Sequence, residues 1–133
     1  MNDATSLTLL SAKNLHLVVI DVQEKLLANI GNPAKITANI RFLMDAAAIL
    51  DVPVVVTEQY PKGLGPTAEP LRSHPAVSNT LEKLRFSAAE TLMAGVSALE
   101  ISEATVAVRG ARQIVLAGIE THVCVQQTAL ELK

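Results

Sequence analysis

The 133-residue chain is 50% hydrophobic and 18% charged, with a formal net charge of −2. Those proportions exclude a disordered polymer and suit one domain, residues 1–133, with a single hydrophobic core. No basic run or aromatic-basic stripe points to a nucleic-acid surface, and no apolar run approaches the roughly 18 residues that a bilayer span requires.

A single cysteine rules out an intramolecular disulfide and fits a reducing compartment, so a cytoplasmic location is expected. The stretch Met1 to Asn14 is polar and mixed, without the apolar h-region of a secretory signal. Aromatic residues make up only 2% of the chain, which leaves Ala, Val, Leu and Ile to build the core.

Leu15 to Ile20 reads LHLVVI, a short apolar run that ends at Asp21 and predicts a strand covered on both faces. A helix at Val22 to Ala28 is expected next. After the Gly31-Asn32-Pro33 break, Ile36, Ile40, Leu43, Ala47 and Leu50 recur at helical spacing and predict a helix over Ile36 to Leu50. Val52 to Thr57 predicts a second buried strand, with Pro53 tolerated near its start. Glu58 to Pro75 carries Pro61, Gly63, Gly65, Pro66, Pro70 and Pro75, a long loop of the kind that is often functional. Thr80 to Leu84 predicts a short third strand. Ser87 to Met93 and Glu100 to Val108 predict helices that Ser87 or Ser102 could cap. Gly110 interrupts the chain, Gln113 to Ala117 predicts another strand, and Val123 to Leu132 a closing helix.

Strands alternating with helices imply an α/β fold with a mostly parallel sheet in a three-layer α/β/α arrangement. Ligands in such sheets sit at the carboxyl ends of the strands. That rule directs attention to Asp21, to the loop after Thr57, to Lys83 and to Gly118 through Cys124.

Each of these residues has two readings. Cys124, at the start of a helix after a strand and turn, is a nucleophile whose pKa the positive helix end would lower, or a small packing residue. Asp21 is a general base for the thiol or a cap for the helix that follows. Lys83 is a cation that favours the thiolate or a solvated lysine, with Lys25, Lys62 and Arg85 as competitors. His122 lies too near Cys124 in sequence to serve readily as its base, and His16 inside a strand reads as structural. The histidines do not fall at metal-ligand spacing, so no metal is expected. Gly63-x-Gly65 is followed by Pro66 and no helix opens there, so the dinucleotide fingerprint is not met.

Taken together, DVQEKLL after the first strand, EK-x-x-FSA in the middle and GIETHVCV before a helix resemble the isochorismatase-like cysteine hydrolases. TEQYPKGLG, Thr57 to Gly65, is similar to the metal-free branch of that family. The resemblance runs from about Leu15 to the end. It implies a Rossmann-like isochorismatase-like hydrolase fold and a Cys124–Asp21–Lys83 triad acting without cofactor on a small-molecule amide or related C–N bond. It also implies an oxyanion hole from the backbone N–H groups of Glu120 and Cys124, a cis peptide at Ile119–Glu120, and Gln23, Tyr60 and His122 as pocket residues. The expected partners are a small-molecule substrate and further copies of the chain, with neither nucleic acid nor membrane. A vinyl-ether hydrolase of isochorismatase type and a catalytically silent scaffold of the same fold remain as alternatives.

Two departures stand out. Ala89 replaces the aromatic expected after Ser-Ala in the FSA segment. The chain also stops at Lys133, soon after Cys124, where family members continue. The resemblance therefore implies a fold truncated at the C-terminus, with an exposed sheet edge that self-association could cover.

Overall fold

The computed structural model describes residues 9–94 and 113–133. The helix expected over Glu100 to Val108, with Ser102 and Gly110, lies outside the described residues. Four parallel strands form one sheet: β1 (Leu15–Ile20), β2 (Val54–Gln59), β3 (Val77–Lys83) and β4 (Gln113–Gly118), in the spatial order β3-β2-β1-β4. The helices are α1 (Glu24–Leu27), α2 (Pro33–Ile49), α3 (Pro61–Leu64), α4 (Glu69–Arg72), α5 (Ala89–Met93) and α6 (Gln126–Glu131). No described helix is long and apolar enough to cross a membrane.

Period-two alternation along β1 and β2 divides the apolar side chains between two layers. Leu17, Val19, Val54 and Val56 face Ile40, Met44 and Ala47 of α2 and Leu71 of α4. Val18, Ile20 and Val55 face Ala88, Leu92 of α5 and Cys124. Helices therefore cover both faces, which explains why β1 and β2 are near-continuous hydrophobic runs.

Several boundaries differ from the sequence expectations for local reasons. Helix α2 begins at Pro33, with Asn32 as its N-cap accepting from the Lys35 N–H, because proline suits the first helical position. Its inward face carries Met44 where Leu43 was expected, and Leu43 and Leu50 are 40% and 58% exposed. The helix expected over Val22 to Ala28 shrinks to α1, and its N-cap is Gln23. Strand β3 starts at Val77 rather than Thr80, its outward residues being exposed. The helix expected from Val123 opens instead as a π-helical turn, Thr121–Val125, that runs into α6. Ser87 precedes the N-cap of α5, which is Ala88, although its hydroxyl still accepts from the Ala89 N–H.

Chain order reverses between β1 and β4. The connection from β1 leaves toward β2, and the one from β3 crosses over to β4. In open α/β sheets a crevice forms at such a switch point, beyond the carboxyl ends of the strands. Asp21 follows β1 directly, and the turn bearing Cys124 follows β4.

Candidate active site

The registry of the strands brings the site together. Ile20 lies opposite Gly118 and Thr57, and Gln59 lies opposite Lys83. Asp21 has a left-handed backbone, φ 52°, which Asp tolerates better than most residues and which turns its carboxylate over the strand ends. That carboxylate is fully buried. Its Oδ1 accepts from the Thr57 hydroxyl at 2.8 Å, and its Oδ2 lies 2.6 Å from Lys83 Nζ. Asp21 does not cap a helix: its two oxygens face Thr57 and Lys83, and the Gln23 N–H bonds its backbone carbonyl.

Lys83 is likewise buried, with three further oxygens around Nζ: Gln59 Oε1 at 2.7 Å, Phe86 O at 2.8 Å and Arg85 O at 3.0 Å. A solvated lysine is thereby replaced by an ammonium whose donors all have partners. Lys25 bonds Gly63 O, and Arg85 pairs with Glu90 and Glu131 on the surface, so neither competes for Asp21.

Cys124 sits in the π-helical turn, 6% exposed, and packs beside Val18, Ile20 and Leu92. Burial pushes its thiol up from the ordinary 9.0 to about 11, helped by the neighbouring Asp21 carboxylate and its negative charge. Lys83 and the Glu120 backbone N–H pull the other way and are outweighed. The lowering expected from a helix end is thus corrected to a rise. Desolvation disfavours the thiolate, and the acidic neighbour acts in the same direction.

The backbone leading to Cys124 is tightly defined. Gly118 has φ 146°, and a side chain there would collide with the Ile20 backbone, so the close approach of β4 to β1 requires glycine. The Ile119 N–H bonds Ile20 O at 3.0 Å, and the Ile119–Glu120 peptide is cis. The Glu120 carbonyl accepts from the Val123 and Val125 N–H groups.

The three residues expected in the pocket fall in different places. Gln23 is fully buried. Its amide donates to Gln59 O and Gly65 O and accepts from the Gln59 N–H, so it pins the segment after β2 instead of offering a free group. Tyr60 is half exposed, with its ring over Gly63, and lines a cleft of about 690 Å³. That cleft is bounded also by Lys62, Glu82, Lys83, Ser87 and Thr91, and neither Asp21 nor Cys124 lines it. His122 is exposed and lies 3.5 Å from Glu120 Oε2. His16 is a partly buried residue of β1, its pKa lowered by that burial. Among the described residues, no three His, Cys, Asp or Glu side chains converge as a metal-holding group.

Sequence reasoning missed Thr57, Gln59 and Thr128. Thr57 and Gln59 carried a signal, since polar side chains two apart at the carboxyl end of a buried strand share one face. Thr128, on α6, carried none: its partners are the Cys124 carbonyl and the Ala88 N–H, which are main-chain groups.

Comparison with known proteins bears on the family and the fold. A family profile described as an isochorismatase domain matches residues 16–133. Isochorismatase domain-containing protein 1 of Danio rerio is 38% identical over 130 residues, covering 98% of this chain and 43% of that protein. A solved structure described as the MAR1 ribonuclease of Caenorhabditis elegans is 36% identical with a TM-score of 0.76, covering 94% of this chain and 60% of that one. The YcaC gene product of Escherichia coli, described as an octameric hydrolase of unknown specificity, is 26% identical with a TM-score of 0.72, covering 91% of this chain and 57% of that one. The chain thus spans roughly half the length of the relatives it matches. By the extent of these matches and by its fold, it belongs to the isochorismatase family.

Proposed function

We propose that the protein is a cysteine-dependent hydrolase of a small-molecule amide or related C–N bond, working through an acyl-enzyme. The observation that carries this reading is the buried meeting of Asp21, Lys83 and Cys124 at the switch point of the sheet. A raised thiol pKa favours a resting thiol beside the carboxylate over a preformed thiolate. On attack, the S–H proton passes to Asp21 as sulfur bonds to the substrate carbonyl carbon, and the carbonyl π electrons move to oxygen. The N–H groups of Glu120 and Cys124 are the proposed donors to that oxyanion; removing one such donor typically costs a factor of about 10²–10³. As the C–N bond breaks, Asp21 returns the proton to the departing amine. Water then attacks the thioester and gives a proton to Asp21, the C–S bond breaks, and the acid leaves as the thiol is restored. Lys83 balances the charge on Asp21 throughout.

Self-association belongs to the same proposal, supported by the octameric description of the Escherichia coli neighbour. The test is a panel of small amides, with RNA included because the Caenorhabditis elegans relative is named a ribonuclease. Turnover of an amide that is lost in Cys124→Ala, with acylated Cys124 trapped by mass spectrometry, is the expected result. Hydrolysis that survives Cys124→Ala, whether of a vinyl ether or of RNA, would overturn the reading.

A further inference from the structure

Thr128 lies on α6 with no exposed surface. Its hydroxyl donates to the Cys124 carbonyl at 2.6 Å, a back-bond that threonines in helices often make. What such a back-bond does not explain is the second partner. The same oxygen accepts from the Ala88 N–H at 2.9 Å, a buried bond between residues 40 apart in sequence. Ala88 ends the turn whose Arg85 and Phe86 carbonyls hold Lys83 Nζ. A continuous path therefore runs from the Lys83 ammonium through the 86–88 backbone and one hydroxyl to the main chain of Cys124. Apart from this bond, the polar tie between that turn and α6 is the exposed Arg85–Glu131 pair, a contact of a kind that contributes little.

We infer that Thr128 is a positioning residue: its single hydroxyl clasps the Lys83-bearing turn to the Cys124-bearing turn and fixes the cation against the nucleophile. A hydroxyl has one donor and can accept as well, so threonine or serine makes both bonds at once, and valine, of nearly the same shape, makes neither. The inference rests on the proposed pairing of Cys124 with Asp21 and Lys83, the charged groups that face the sulfur.

The test follows alkylation of the only cysteine by iodoacetamide across pH, read by intact mass on the full chain. In Asp21→Asn the midpoint should fall, because an acceptor and a negative charge beside the thiol are gone. In Thr128→Val it should rise, because Lys83 is no longer held against the sulfur; well below the midpoint the rate drops about tenfold for each unit of that rise, since the thiolate is the reacting form. Thr128→Ser should match the wild type. An unmoved midpoint in Asp21→Asn would sink the underlying pairing, and the clasp with it. A shifted Asp21→Asn with Thr128→Val at the wild-type midpoint would overturn the clasp alone, and equal shifts in Thr128→Val and Thr128→Ser would show that the effect does not follow the hydroxyl and overturn it too. Should Thr128→Val not fold, amide exchange at Ala88 in the wild type decides. The clasp requires slow exchange that quickens once Cys124 is alkylated, and fast or unresponsive exchange rules it out.

Discussion

Cys124 is held as a thiol by two features: apolar neighbours that desolvate it and a carboxylate whose negative charge disfavours the thiolate. A thiol pushed from 9.0 to about 11 binds its proton more tightly in the folded chain than in the unfolded one. The stability that this adds is fully present below the unfolded value and is lost as pH climbs toward the folded one. Unfolding free energy should therefore fall between about pH 9 and pH 11, and part of that slope should vanish in Cys124→Ala. Urea titrations at a series of alkaline pH values measure it; identical slopes in the two proteins would show that the thiol is not perturbed. The strand-end rule drew attention to the positions of Asp21, Lys83 and Cys124, because strand ends are where α/β sheets gather chemistry, and only the family resemblance joined the three into a candidate triad. The direction of the cysteine shift was not legible. It depends on how many apolar side chains surround the sulfur, a number set by the packing of β1 and α5. Thr57, Gln59 and Thr128 escaped because a polar residue declares its role through its partners, and those come from other segments.

Helix α2 shows what periodicity can and cannot fix at the scale of an element. Its existence followed from the apolar repeat, and its tighter start from Pro33. The orientation of its stripe is finer. Leu43 and Met44 are adjacent and both apolar, and a helix can turn either one toward the sheet with little change in its other contacts. In the structure Met44 is fully buried among Leu17, Val19 and Val54, while Leu43 lies at the rim. Truncating a buried methionine forfeits its transfer energy and leaves a cavity, so Met44→Ala should cost about 2–5 kcal/mol. Leu43→Ala removes surface that is already partly wet and should cost about 1 kcal/mol. Thermal and denaturant unfolding of the two variants compares them directly. A larger loss at Leu43 would mean that the helix is rotated from the orientation described.

At the scale of the whole molecule, the site is distributed over strands of unequal security. β1 and β2 are interior and covered on both faces, whereas β3 is an outer strand whose alternate side chains are exposed. Local opening should start from such an edge and reach the interior strands only with global unfolding. Lys83 nevertheless sits at the end of β3, and its ammonium spans the sheet to Asp21 beyond β1, with Gln59 of β2 between them. A buried ion pair of this kind is costly to break from one side, by about 3–5 kcal/mol, because the remaining charge is stranded; here the three neutral oxygens around Lys83 favour the lower end of that range. The pair thus ties the loose edge to the centre. Amide exchange followed by peptide mass spectrometry should find β1 slowest and β3 faster in the wild type. In Asp21→Asn, exchange over Val77–Lys83 should quicken more than exchange over Leu15–Ile20. A uniform increase across both strands would mean that the pair adds only to global stability and does not hold β3 in place.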